Sequence, residues 1–104
     1  MNVGADLFPG TLDEYLAHIV RAFRSGLESF VILAKSEFTT DVGQKGTKII
    51  AQTESSGIKF YSSIYLFAGR NDQKFMITCS ALIQGWDAYE KIFDTSIKTF
   101  KAPA

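Results

Sequence analysis

The sequence predicts an α+β domain: an antiparallel meander sheet of four to five strands with one helix before it and one after it, in the order (β)αββββα. Two stretches near the ends of the chain carry apolar residues at every third or fourth position, which indicates helices. Between them apolar residues recur with a period of two, and short turn sequences separate the segments, as is typical of antiparallel strands. The 104 residues contain neither a linker nor a repeat, so we expect a single domain over residues 1–104.

The first elements are an edge strand that the sequence leaves open and a helix that it defines well. Residues 2–8 have the composition of a short strand, and we expect the helix over residues 11–26. Thr11 and Glu14 have the spacing of a capping box, in which two side chains satisfy backbone N–H groups at a helix start. The apolar stripe of this helix consists of Leu12, Tyr15, Leu16, Ile19, Val20, Phe23 and Leu27.

The meander is predicted over residues 30–83. Its strands are expected at Phe30–Phe38, Thr47–Glu54, Ile58–Ala68 and Lys74–Ile83. The last two strands carry apolar residues on both faces, so the sheet needs cover on both sides. Two helices of about 14 residues span about 21 Å each, whereas the eleven residues of Ile58–Ala68 extend to about 36 Å. We therefore expect some sheet surface to face solvent, a second copy of the chain or a ligand.

The second helix is predicted over residues 87–101. Asp87 takes the capping position, and Trp86 reaches back over the helix as a hydrophobic staple. Pro103 prevents the helix from continuing, and Asp94 is expected on its outer face. Its apolar stripe consists of Tyr89, Ile92, Phe93, Ile97 and Phe100.

Composition excludes several classes of protein. Eleven Lys and Arg balance eleven Asp and Glu, which argues against a nucleic-acid binder because such proteins carry excess positive charge. The longest apolar runs, such as Phe30–Ala34, are five residues long, far short of the roughly 20 that a membrane span needs. The N-terminus does not read as a leader peptide, so the chain is cytoplasmic as read, or periplasmic or lumenal if a leader has been removed.

The sequence points to no catalytic, cofactor or metal site, and we expect a protein that is not an enzyme. With one His and one Cys, ligands for a metal ion are too few. His18 lies between the stripe positions of the first helix and is expected to be structural and partly exposed. Cys79 alternates with apolar residues on its strand and is expected to be buried.

One group of side chains is predicted to bind a partner: Lys59, Tyr61, Tyr65, Phe67 and Arg70. The three aromatic residues share one face of a strand, and aromatic and cationic side chains are enriched at protein interfaces. A covering helix, or further strands, would instead make these rings part of the core. The leading hypothesis is a binding or accessory domain that docks a protein partner or a second copy of itself through a sheet face or edge. The alternative is a carrier of a small apolar ligand or lipid, with a pocket between sheet and helices.

The segments Lys74–Ala81, Trp86–Phe93 and Ile97–Phe100 resemble the C-terminal half of the PsbP/DcrB-like superfamily. In that superfamily a strand of the type "yxvxxsa" leads into a helix carrying "yexxfxxixxSF", and Leu7–Tyr15 is similar to its strand-to-helix entry. The resemblance covers about residues 2–101 and implies an antiparallel sheet with helices on both sides, in proteins that bind or assist rather than catalyse. Most relatives have one or two further strands before the segment that matches Asn2–Phe8. The resemblance therefore implies an N-terminally shortened member, or strands that a partner chain provides.

Overall fold

The part of the chain that the structure describes contains seven elements of secondary structure, and they follow the predicted order. The computed structural model describes residues 2–27 and 29–101 of the chain. Its elements are β1 (Asn2–Leu7), α1 (Leu12–Gly26), β2 (Ser29–Thr39), β3 (Lys45–Ser55), β4 (Ile58–Ala68), β5 (Gln73–Leu82) and α2 (Trp86–Ile97). The predicted α+β class is confirmed, and β1 supplies the fifth strand that the sequence left open.

All five strands belong to one antiparallel sheet, in the order β1-β5-β4-β3-β2. From β2 to β5 each strand pairs with the next one along the chain, which is the predicted meander. The first strand pairs with the outer side of β5, with Asn2 opposite Thr78 and Leu7 opposite Gln73. The strands β1 and β2 are therefore the two edges of the sheet.

A tight hairpin shows why the strands must be antiparallel neighbours. Only Ser56 and Gly57 connect β3 to β4, and their φ angles are 53° and 78°. Two positive φ angles are typical of a type I′ turn, whose twist matches that of the paired strands. A connection of this length cannot cross over to a parallel strand.

The two helices cover opposite faces of the sheet. Successive residues of a strand point to opposite faces, and β4 divides its residues between two core clusters accordingly. The cluster beneath α1 consists of Tyr15, Leu16, Ile19, Phe30, Ile49, Ala51, Ile64 and Leu66. The cluster beneath α2 consists of Phe38, Tyr65, Phe67, Phe75, Ile77, Cys79 and Ile97. The expected cover on both faces is thus provided within this chain.

The first helix begins as predicted. The backbone N–H of Glu14 donates to the Thr11 hydroxyl over 3.1 Å, and the Thr11 N–H donates to a Glu14 carboxylate oxygen over 3.0 Å. Both halves of the capping box are therefore present, and the helix runs to Gly26.

The second helix differs from the prediction at both ends. It begins at Trp86 and its N-cap is Gly85, whose left-handed φ of 85° turns the chain without a side-chain capping bond. Asp87 lies within the first turn and does not cap the helix. At the other end α2 stops at Ile97, and Phe100 donates its N–H to the Ile97 carbonyl in a tighter turn.

The outer flank of α2 is more exposed than its predicted stripe implies. Tyr89 and Ile92 are half exposed, whereas Trp86 and Ile97 are buried. Neither helix in the described ranges 2–27 and 29–101 is long and apolar enough to cross a membrane.

Candidate functional site

The aromatic face of β4 that was predicted to bind a partner lies beneath α2. Tyr65 and Phe67 are 0% exposed. The ring of Phe100, just after α2, stacks on Phe67 with ring centres 4.6 Å apart. Tyr61 is partly buried, with Trp86 of α2 edge-on to it at 5.6 Å. The rings are therefore part of the core.

The five predicted interface residues do not form one exposed surface. Lys59 and Arg70 are exposed, but they lie at opposite ends of β4 with the buried rings between them. The expectation of a single surface of Lys59, Tyr61, Tyr65, Phe67 and Arg70 is corrected on this point. The physical reason is that α2 covers these rings. A covering helix was the alternative that the sequence left open.

A buried ion-pair network joins α2 to the sheet. Lys48 of β3 is 8% exposed, and its ammonium nitrogen lies 3.0 Å from Glu90 Oε1 and 2.9 Å from Asp94 Oδ1. The Tyr65 hydroxyl also donates a hydrogen bond to Asp94. Asp94 therefore faces the sheet, which corrects its expected place on the outer face of the helix.

Burial and hydrogen bonding shift the pKa values of this network. Burial alone would lower the pKa of Lys48, but the hydrogen bonds and charges of Asp94 and Glu90 outweigh it and raise the pKa above 10.5. Burial, followed by the hydrogen bond to Asp94, raises the pKa of Tyr65 well above 10.0. At neutral pH the lysine is charged and the tyrosine is neutral. The network therefore has a structural role, because it holds α2 against the sheet.

Two single residues considered for chemistry lie in structural positions. His18 is exposed on α1, with its ring 5.3 Å from the ring of Phe8. Cys79 is buried as expected, and burial raises the pKa of its thiol, which disfavours the reactive thiolate. Within the described part of the chain, no group of three or more His, Cys, Asp or Glu residues is placed to hold a metal ion.

The outer edge of β2 carries an exposed apolar segment. This strand pairs only with β3, so backbone groups along its eleven residues face outward. Val31, Ile32 and Leu33 are consecutive and 49%, 36% and 48% exposed. A bulge interrupts the pairing between Ile32 and Ala34, so that Leu33 has no opposite residue in β3.

A groove of about 690 Å³ lies between α1 and this edge. Its apolar lining includes Leu16 and Val20 of α1 and Ile32 of β2. Arg21 and Arg24 also line it, and both side chains are exposed. The groove and the open strand therefore form one continuous surface, which we call the β2 edge site.

Sequence reasoning passed over the β2 edge site because β2 was interpreted as one more alternating strand. The signal was nevertheless present: three aliphatic residues in succession, Val31, Ile32 and Leu33, break the period of two. A break of this kind accompanies a bulge, since one extra residue shifts the alternation.

Comparisons with known proteins bear on the fold alone. No protein-family model matches the chain, and no curated protein matches it. The fold is similar to the crystal structure of PA94 from Pseudomonas aeruginosa, described as a protein of unknown function and candidate regulator. The TM-score is 0.81 at 12% sequence identity, over 98% of this chain and 71% of that one.

Proposed function

We propose that this chain is a non-catalytic accessory domain that binds another protein at the β2 edge site, where an extended segment of the partner adds a strand to the sheet. The proposal includes membership of the PsbP/DcrB-like superfamily, whose antiparallel sheet lies between helices and whose members bind or assist. The observation that carries the proposal is the open β2 edge with its three exposed aliphatic residues. Natural proteins usually protect such an edge, because it is a template for pairing with another chain.

Protection of the β2 edge is uneven. The second half of the strand carries Lys35 and Glu37, charges of the kind that discourage pairing between strands. The first half, from Ser29 to Leu33, carries no charge. A partner strand would therefore pair with the first half, on the N-terminal side of the bulge.

The groove beside this half would receive the partner's side chains. Side chains of a strand alternate between faces, so every second residue of an added strand lies on the α1 side of the sheet. Ile32 shares that side, since it pairs with Ala51 of the core cluster beneath α1. Aliphatic side chains there would pack against Val20 and Ile32 beside the buried Leu16, and the main chain would form hydrogen bonds with β2, as in other strand-addition complexes.

Charge favours an acidic partner segment. Lys35 is already paired with Asp13, at 3.1 Å. Arg21 and Arg24 make no ion pair within residues 2–27 and 29–101. The proposed occupant is therefore an extended segment that combines aliphatic residues with Asp or Glu, which the two arginines would attract.

The non-catalytic part of the proposal is supported by where the titratable groups are. Among the described residues, the strongest pKa shifts belong to Tyr65 and Tyr15, both 0% exposed. Each hydroxyl donates a hydrogen bond to a carboxylate, that of Asp94 for Tyr65 and that of Asp6 for Tyr15. Perturbed groups at an active site usually face a cleft, whereas these are satisfied inside the protein.

Binding of synthetic strand peptides tests the proposal. Fluorescence anisotropy would compare two peptides of about nine residues. The Val/Glu peptide has Val at positions 3, 5 and 7, Glu at positions 1 and 9 and Thr between, so that Val and Glu share the face toward the groove. The second peptide has Lys in place of Glu. We expect the Val/Glu peptide to bind more tightly, and the Arg21→Glu, Arg24→Glu double variant to reverse this preference.

A matched pair of edge variants provides the control. Val31→Lys with Leu33→Lys should weaken peptide binding about tenfold or more, because it adds charge to the open strand. Val3→Lys with Leu7→Lys changes two aliphatic residues on the opposite edge that are even more exposed, at 60% and 76%, and should leave binding unchanged. Equal effects of the two double variants would refute the β2 edge site. Analytical ultracentrifugation of the chain without peptide tests for self-association. A stable dimer that only the β2 double variant dissociates would show that the occupant is a second copy of the chain.

A further inference from the structure

A second, smaller cavity lies between the C-terminal end of α1 and the sheet. Its volume is about 170 Å³, and it is more enclosed than the groove of the β2 edge site. The residues that line it are Phe23, Leu27, Phe30, Thr53, Ser62, Ile64, Thr78 and Ser80. None of these side chains carries a charge.

The cavity has an aromatic part and a hydroxyl part. The rings of Phe23 and Phe30 stack at 5.1 Å and belong to α1 and β2. The four hydroxyls come from three neighbouring strands: Thr53 of β3, Ser62 of β4, and Thr78 and Ser80 of β5. A molecule in the cavity would thus meet apolar atoms on one side and hydrogen-bonding groups on the other.

Ser62 and Ser80, which both line the cavity, keep hydrogen-bonding capacity beyond their bond to each other. The hydroxyl oxygens of Ser62 and Ser80 are 2.7 Å apart, so one of them donates to the other. Each hydroxyl has one proton and two lone pairs, so the accepting serine keeps a proton and both keep a lone pair. Ser62 is buried, whereas Ser80 is exposed and marks the mouth of the cavity.

Size and chemistry limit what fits. An engineered cavity of about 150 Å³ in another protein holds benzene, so 170 Å³ holds one ring or a short aliphatic chain. A charged group would lose its hydration without an opposite charge in the lining, which is costly. A single hydroxyl or carbonyl group, in contrast, would pair with Ser62.

We propose that this cavity is a binding site for a small neutral molecule that consists of one ring or a short aliphatic chain and carries one hydroxyl or carbonyl group. Phe30 of β2 lines this cavity, but the proposal does not rest on protein binding at the β2 edge site.

Titration with phenol and with benzene, followed by the methyl resonances in carbon-13 NMR, tests the proposal. We expect saturable shifts of Leu27 and Ile64 with a Kd on the order of 1 mM for phenol. Ile97, on the other face of the sheet, should not shift. Phenol should bind more tightly than benzene, since only phenol can use the serine pair.

Two variants separate size from hydrogen bonding. Ser80→Leu narrows the mouth at an exposed position and should abolish binding of both probes. Ser62→Ala should weaken phenol about three- to tenfold and leave benzene unchanged, while Ser96→Ala, on the exposed side of α2, should change neither. Shifts that do not saturate, that spread over both faces, or that persist in Ser80→Leu would overturn the proposal.

Discussion

At the scale of single residues, Lys48 shows how the sheet tolerates a charge in its interior. The ammonium group has two carboxylates within 3.0 Å, so the cost of removing it from water is offset by paired charges and hydrogen bonds. The sequence contains all the members of this network, but they lie 42 and 46 positions apart. No spacing rule links residues so distant, so the network could not be predicted.

Replacement of Lys48 by Met should destabilise the fold by about 2 kcal/mol, because it leaves Glu90 and Asp94 unpaired in a partly buried place. For a domain of this size that loss lowers the Tm by roughly 8–16 °C. Lys35→Met is the matched control, since its ion pair with Asp13 is exposed, and it should cost no more than about 0.5 kcal/mol. Thermal unfolding measures both, and similar losses would contradict the structural role of Lys48.

The same groups predict how stability depends on pH. The pKa values of Lys48, Tyr65 and Tyr15 are all raised in the folded state, from 10.5 for the lysine and 10.0 for the tyrosines. The folded protein therefore holds these protons more tightly than the unfolded chain does. The stability they contribute is present in full below about pH 10 and is lost as the pH rises further.

Urea unfolding between about pH 8 and pH 11 tests this sign. We expect the free energy of unfolding to fall above about pH 10, and to fall less steeply in Lys48→Met. Absorbance of ionised tyrosine at high pH should show Tyr15 and Tyr65 titrating only as the protein unfolds. A free energy that stays level to pH 11 would contradict the expectation.

At the scale of elements, regular patterns were predictable and local exceptions were not. The strand Ile58–Ala68 and the helix start at Thr11 follow from alternation and capping chemistry, and both are confirmed. The start of α2 was missed because Gly85 caps the helix through its backbone conformation, which leaves no side-chain signature. The bulge in β2 was missed because its signal, Val31 to Leu33, also fits an ordinary apolar strand.

The two helix starts should respond differently to substitution. Thr11→Ala removes half of a capping box and should cost about 1 kcal/mol. Gly85→Ala should cost a similar amount, because φ is 85° there and this conformation is strained for alanine. Steric crowding adds nothing, since the nearest atom to the new methyl group, on the Tyr89 ring, would be 3.8 Å away. Asp87→Ala should cost less than about 0.5 kcal/mol, through the helix dipole alone. Urea unfolding ranks the three, and a large loss in Asp87→Ala would restore it as the cap.

At the scale of the whole molecule, the number and order of elements could be predicted from the sequence, but the surface left for function could not. Turn lengths dictate which strands are neighbours, and apolar residues on both faces of β4 require two covering layers. Which layer covers which residues depends on the path of α2, and that path depends on distant contacts such as Phe100 on Phe67. Because the aromatic face of β4 belongs to the core, the candidate interface is at the β2 edge of the sheet and not at its centre.

Amide hydrogen exchange with and without the Val/Glu peptide tests the β2 edge site most directly. In the free protein the outward N–H groups of Ser29 to Leu33 should exchange rapidly, because they have no strand beside them. With peptide bound, we expect protection confined to these residues and chemical shift changes at Arg21 and Arg24. Protection at β1 instead, or binding that leaves β2 exchanging as before, would contradict the account.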